Sequence, residues 1–390
     1  MFLKIVDRPI LLYVCVLAII SCFFIYSSSV MSSQYSGAFV LKQLIFYCLG
    51  IVLIVCVASF DLDQLKKVSW YFYAIITLLL IGLIFAPESI ARPINEAKAW
   101  YQIKFIGTFQ PSEFLKFAFL LVVGIVIEKH DEKFIAATVQ QGCWLLFKIG
   151  IITIPPMLIV YEQPDTGMLM LYLALIIPMI YFSNLNKKLL LTLTLIPVTI
   201  ISIIVVMYVH FNSFYTENVL GQLSPHQISR INGWLQPFEY GDSAYQTRQG
   251  ILSIGSGELA GKGYLQNEVY VPEKHTDFIF STIAEEMGFI GGALVIFIYF
   301  LLLHRIVILV LHAKTNFSYV TGAGIIGLLT FQIFQNIGMT MGILPVTGVT
   351  LPFLSYGGSS LLSNMMLIGL VLSIKKSYEG YMFKSEGEME

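Results

Sequence analysis

Apolar stretches of about twenty residues recur along almost the whole of this 390-residue chain, each long enough to cross the hydrocarbon core of a bilayer as a helix. About ten segments fit that template, at roughly 9–30, 39–60, 68–86, 110–128, 144–161, 166–182, 189–212, 278–303, 318–341 and 351–374. A segment in hydrocarbon must satisfy its own backbone hydrogen bonds, so the pattern predicts an all-α integral membrane protein. Only 12% of residues are charged and 57% are hydrophobic, whereas a soluble domain carries about a quarter charged residues. The net charge of −1, with no cluster of Lys and Arg, excludes the basic footprint that nucleic acid requires. The five cysteines (Cys15, Cys22, Cys48, Cys56 and Cys143) all fall inside apolar segments without CxxC spacing, which reads as membrane-core packing rather than a metal site.

The first apolar run, Pro9 to Val30, exceeds the ~7–15 residues of a signal-peptide core and is expected to be a retained span. Orientation follows from the short loops. Lys4, Arg8, Lys66, Lys67, Lys129, Lys133, Lys187, Lys188, Arg305, Lys314, Lys375 and Lys376 fall on one side, while the short loops at 31–38, 162–165 and 342–350 hold no Lys or Arg. Both termini are therefore expected in the cytoplasm. The whole chain, 1–390, reads as one polytopic unit containing a large extracytoplasmic loop, 213–277, between helices seven and eight. Trp234, Tyr240, Tyr245, Tyr264 and Tyr270 make that loop too aromatic for a disordered linker, so short amphipathic helices are expected on the membrane surface.

Ionisable residues inside a span are costly and mark candidate sites. Glu113 and Lys116 open the fourth span at i, i+3, on one face, and read either as a structural ion pair or as a cavity lining. Asp277 lies at the outer boundary of the eighth span, after Lys274 and His275, and Glu285 follows two turns later. A carboxylate there is a candidate general base, or simply a favourable charge at a helix N-terminus. The run from Thr340 to Ser360, which includes Ser355, is rich in Gly, Pro, Ser and Thr, and such backbone at membrane depth needs protein or a watery cavity beside it. Lys262, in Gly261-Lys262-Gly263, is a weak candidate for holding phosphate.

Together these segments resemble the SEDS family (shape, elongation, division and sporulation). The resemblance rests on AKAWYQ at 97–102, FQPSEFLK at 109–116, QPDTG at 163–167, and SIGSG with GKG at 253–263. Its strongest parts are VPEKHTDFIFSTIAEEMGFIG at 271–291 and QNIGMTMGILPVTGVTLPFLSYGGSS at 335–360. Tyr245-x-x-x-Gln249 and Tyr264-Leu265-Gln266-Asn267 place the chain closer to the elongation (RodA) branch than to the division (FtsW) branch. Two departures stand out: Glu258 where many members have glycine, and Ala99 before Trp100 where many have arginine.

The resemblance implies a peptidoglycan glycosyltransferase that polymerises lipid II at the outer face of the cytoplasmic membrane, with Asp277 as the catalytic residue. Glu113, Lys116, Lys262, Lys274, His275, Glu285 and Ser355 are the expected cavity or substrate-binding residues. No protein metal ligands are expected, although a divalent cation, Mg or Mn, could accompany the lipid pyrophosphate. The implied partners are lipid II and a class B penicillin-binding protein. A lipid II flippase and a non-catalytic scaffold are the competing readings; a flippase would need polar groups through the full membrane depth.

Overall fold

Every segment that the sequence marks as apolar folds as a helix. The computed structural model describes residues 7–31, 39–93, 97–103, 107–134, 137–211, 216, 218, 220–222, 225–239 and 244–387. The long elements are α1 (Arg8–Met31), α2 (Phe39–Ser59), α3 (Leu62–Phe85), α4 (Pro111–Lys133), α5 (Val139–Glu162), α6 (Thr166–Tyr181) and α7 (Lys187–His210). Next come the short helices α8 (Pro225–Leu235) and α9 (Tyr245–Ser256), then α10 (Ile279–Leu311), α11 (Asn316–Thr340) and α12 (Gly358–Gly387). Ahead of α4, β1 (Tyr101–Ile103) pairs antiparallel with β2 (Gly107–Phe109). Tyr240, in the expected outer loop, lies outside the described residues.

Eight helices among the described residues are long and apolar enough to cross a membrane: α1, α2, α3, α5, α7, α10, α11 and α12. The chain is an all-α multi-pass membrane protein. Helices α4 and α6 occupy the places of the fourth and sixth expected spans but differ in kind: α6 has 16 residues, and α4 carries Glu113, Lys116 and Glu128. Every residue of α4 from Pro111 to Ile125 is buried, and the helix packs against α3, α5, α6, α11 and α12. A helix that is apolar on all sides is surrounded either by protein or by lipid, and around α4 it is protein. Helix α7 is the opposite case. None of its residues is buried, so its Leu, Ile and Val side chains face the surroundings, which in a bilayer are lipid.

Helix α10 is broken at Gly288, where φ is +64° and ψ −162°. A break frees backbone groups that nothing in hydrocarbon would satisfy. Here the segment after α9 supplies the partners. Lys262 N donates to Glu285 O (3.0 Å) and Gly263 N to Glu286 O (3.0 Å), while Phe289 N donates to Glu258 O (2.9 Å) and Ile290 N to Leu259 O (3.2 Å). The fit leaves no room for side chains at the crossing: a Cβ on Gly261 would stand 2.1 Å from Glu286 O, and one on Gly288 2.4 Å from Gly261 N. These glycines serve close backbone packing, and the amides of Lys262 and Gly263, in the stretch read as a weak candidate for holding phosphate, are already spent on Glu285 O and Glu286 O.

Glu258 is part of this ladder with φ +49°, a left-handed conformation that costs a residue with a Cβ about 1 kcal/mol. Glu258→Gly is therefore expected to stabilise the protein by about 0.5–1 kcal/mol, since part of the relief is offset by the freedom of glycine in the unfolded chain. A higher thermal midpoint of the purified variant checks this; an unchanged or lower one refutes it.

The last span begins later than expected, at Gly358 instead of near residue 351, and residues 341–357 form no regular helix. Gly342 and Gly348 take φ of +75° and +73°, and Pro345 and Pro352 cannot donate to a helix. Side-chain amides of α11 stand in for the missing backbone partners. Gln335 Nε2 donates to Pro345 O (3.0 Å) and Gln332 Nε2 to Thr350 O (3.2 Å).

Candidate active site

Asp277 sits in the turn before α10, two residues ahead of its first helical residue. The turn is closed locally by Thr276 N and Phe278 N, which both donate to Glu273 O. Three successive carbonyls of the turn are then taken up by other parts of the chain. Tyr356 N donates to His275 O (3.0 Å), Ser355 Oγ to Thr276 O (2.6 Å), and Asn336 Nδ2 to Asp277 O (2.8 Å). Asp277 is half-buried, set back in the protein, and its Oδ2 lies 3.6 Å from where a Cβ on Gly348 would stand.

Burial, reinforced by the charges of Glu273 and Asp165, pushes the Asp277 carboxyl up to about 8, with Arg230 pulling the other way. Asp165 caps α6, accepting from Met168 N (3.1 Å) and from Gln110 Nε2 (2.9 Å). Burial raises it to about 6 against those hydrogen bonds, with Glu113 adding to the rise and Arg230 opposing it. Burial lowers the pKa of the Arg230 guanidinium, which is held charged by both Asp165 and Asp277. Arg230 projects from α8, the amphipathic helix expected in the outer loop. Trp234 on the same helix anchors it, donating from Nε1 to Ile343 O (3.1 Å).

Glu113 and Lys116 form the inner end of this charge chain. Lys116 Nζ is 2.5 Å from Glu113 Oε2, with the lysine side chain wholly buried. Asp277, Arg230, Asp165, Glu113 and Lys116 thus link α10, α8, α6 and α4 through alternating or mutually felt charges. Beyond Lys116 every α4 residue from Phe117 to Ile125 is apolar or glycine, which separates the Glu113–Lys116 pair from the charged residues that begin at Glu128 at the other end of the helix.

The other expected cavity residues do different work. Glu285 is fully buried and receives Lys274 Nζ (2.8 Å), Lys262 Nζ (2.9 Å), Ser253 Oγ (2.8 Å), Glu268 N (2.7 Å) and Val269 N (3.0 Å). It ties the outer loop to the broken helix and has no free lone pair for a substrate. Lys274 also donates to Asn267 Oδ1 and Val269 O. Burial holds its ammonium below the usual lysine range even though the hydrogen bond to Glu285 opposes this. Ser355 accepts from Leu351 N (2.8 Å) while donating to Thr276, so it fixes the Asp277 turn. His275 packs its ring 4.9 Å from Phe39 and 5.7 Å from Tyr356, and burial lowers its pKa against the pull of Glu273.

Sequence reasoning missed Arg230 and Asp165. Asp165 was visible within QPDTG, and Arg230 is the one Arg or Lys on the amphipathic α8. Neither position carried a local sign that it faces Asp277. Among the described residues no group of three or more His, Cys, Asp or Glu could hold a metal ion.

Among relatives, the peptidoglycan glycosyltransferase RodA of Treponema pallidum is 30% identical over 94% of this chain and 97% of its own length. Stage V sporulation protein E of Bacillus subtilis is also 30% identical, over 95% and 97%. Two solved structures share the fold. A chain from a peptidoglycan synthase complex matches with TM-score 0.75, 24% identity and coverage of 95% and 98%. The rod shape determining protein RodA of Thermus thermophilus matches at 0.65, 24%, and 95% and 97%. The cell cycle protein family of FtsW, RodA and SpoVE matches residues 8–380, and with that span and these relatives the chain belongs to this family, the SEDS proteins whose motifs it resembles.

Proposed function

We propose that the protein is a peptidoglycan glycosyltransferase that polymerises lipid II at the outer face of the bacterial cytoplasmic membrane, in the elongation branch of its family. The observation that carries this is the raised carboxyl of Asp277 in a recess facing Arg230. A base poised near the working pH is effective because it is free to accept a proton and strong enough to take one. Asp277 accepts the proton of the acceptor sugar hydroxyl as that oxygen bonds to the anomeric carbon of the donor. The bond from that carbon to the lipid pyrophosphate breaks, and the pyrophosphate leaves with the electron pair. Arg230, whose charge acts on Asp277, is the cation that would stabilise the departing charge; Lys116, buried against Glu113, and Lys262 and Lys274, engaged by Glu285, are less available for that role. Mg or Mn would arrive as counter-ion of the pyrophosphate, and no step is assigned to it.

The test is polymerisation of purified lipid II by the reconstituted protein, alone and with a class B penicillin-binding protein that would cross-link the strands. Glycan product that depends on Asp277 supports the reading. No product under either condition refutes it, and full activity without a partner removes the partner from it. A flippase reading gains no support from α4, whose Phe117–Ile125 stretch is apolar.

Both termini are proposed to be cytoplasmic, on the asymmetry of Lys and Arg in the short loops. In a background without the five native cysteines, Gln236→Cys, at an exposed position after α8, should react with an impermeant thiol reagent added outside intact cells. Labelling only after lysis would reverse the topology.

A further inference from the structure

Asn336 lies in the middle of the α11 contact with the irregular segment 341–357, and its side chain is wholly buried. Its Nδ2 carries two hydrogens and uses them on two different stretches of backbone. One goes to Asp277 O at 2.8 Å and the other to Val349 O at 2.7 Å. Its neighbours Gln332 and Gln335 also donate to the irregular segment, at Thr350 O and Pro345 O, but neither reaches the Asp277 turn. The amide cannot be flipped, because Oδ1 would then oppose two carbonyl oxygens. As placed, Oδ1 has no partner. A buried acceptor left empty costs stability, so packing alone does not account for an asparagine here.

The two carbonyls flank the recess. Asp277 O belongs to the residue whose carboxylate does the proposed chemistry, and Val349 follows Gly348, where an added Cβ would stand 3.6 Å from Asp277 Oδ2. We propose that Asn336 is a positioning residue for Asp277: one amide fixes the carboxylate-bearing turn and the opposite wall of its recess at a set separation. This rests on the catalytic reading of Asp277. Ser355 and Tyr356 hold the preceding carbonyls of the same turn, but both come from the wall segment itself. Of the donors to these three carbonyls, Asn336 alone comes from a regular helix, so it references both pieces to the rigid bundle.

The experiment compares Asn336→Leu, Asn336→Ser and wild type in lipid nanodiscs, reading kcat and KM for lipid II polymerisation, the thermal midpoint, and amide hydrogen exchange by mass spectrometry. Misplacing a reacting group by about an ångström costs roughly 100-fold. Asn336→Leu should therefore lower kcat about 10–100-fold with KM within about twofold, and speed exchange of the amides near 276–279 and 349–351. Asn336→Ser, whose hydroxyl donates to one carbonyl, should fall between, and it replaces the leucine variant if that one fails to insert. A role in stability alone would lower the thermal midpoint and leave kcat per folded molecule unchanged, and that result overturns the proposal. Asp277→Asn is measured alongside. If it retains activity, the catalytic reading fails, while unchanged exchange in the asparagine variants sinks the clamp independently.

Discussion

Asp277→Asn is expected to remove nearly all polymerisation of lipid II and, at the same time, to make the protein more stable. Losing a general base typically costs ~10²–10⁴-fold in rate, and the amide cannot accept the proton. The gain in stability follows from linkage. The carboxyl titrates near 3.8 unfolded and is raised to about 8 when folded, so between those values the native state binds more protons than the unfolded chain. Stability therefore falls as pH rises through this window, because folding must hold an ionised carboxylate in a recess that disfavours it. Below about pH 4 the wild type and the amide should be equally stable. Above it the amide should gain progressively, to the order of 1–2 kcal/mol by pH 8 once solvent in the recess is allowed for. Thermal midpoints from pH 5 to pH 9, with polymer yield from the same preparations, decide it. Substantial polymer from Asp277→Asn, or a stability difference that does not grow with pH, contradicts the assignment.

The other large effect concerns the inner pair. Lys116 is wholly buried and Glu113 is its ion-pair partner, with no further hydrogen bond on Lys116 Nζ or Glu113 Oε2. Removing one member leaves an uncompensated charge in the protein interior, which costs on the order of 3–5 kcal/mol. Glu113→Ala should accordingly insert poorly or lose much of its thermal stability. Replacing both charges by neutral groups of similar shape is close to neutral in other buried pairs, so Glu113→Gln with Lys116→Met should recover most of the loss. Activity separates structure from function: if Lys116 bears on the pyrophosphate, the double variant folds and still polymerises slowly. A Glu113→Ala protein as stable and as active as wild type would show that the pair matters to neither.

The span pattern and the Asp277 motif were legible because each is written in contiguous residues. Hydrophobic length marks a helix without reference to anything else, and Pro272 to Phe280 carries its own signature. The partners of that motif were not legible. Ser355 was read as a cavity residue and Asn336 falls in the 335–360 motif, but nothing local showed that they, with Arg230, act on the 275–277 turn from dozens of residues away. Glu285, two turns after Asp277 and expected to line the cavity, is enclosed instead by the loop carrying Lys262, Glu268, Val269 and Lys274. The departure at Ala99 also resolves spatially. Ala99 is buried, and the displaced Lys98 donates from Nζ to Ala86 O (2.5 Å) and Ile84 O (3.3 Å) at the C-terminal end of α3, where a cation suits the helix dipole.

Helix α7 buries none of its own residues and meets the protein at few points, chiefly Leu189 and Leu190 against the core and Thr194 against Tyr181, so the surrounding membrane weighs more in its placement than packing does. Its contribution to the fold is the transfer of Leu, Ile and Val from water to lipid, and this depends on average hydrophobicity and length, not on which residue occupies which position. Shape-changing substitutions along its length, Leu195→Val or Ile200→Leu, leave no cavity because lipid chains flow in behind them. Bilayer thickness acts on this helix more directly than any neighbouring side chain, since tilt is its main response to mismatch. The protein thus combines a jigsaw, tightest around α4, with one component held as a solute.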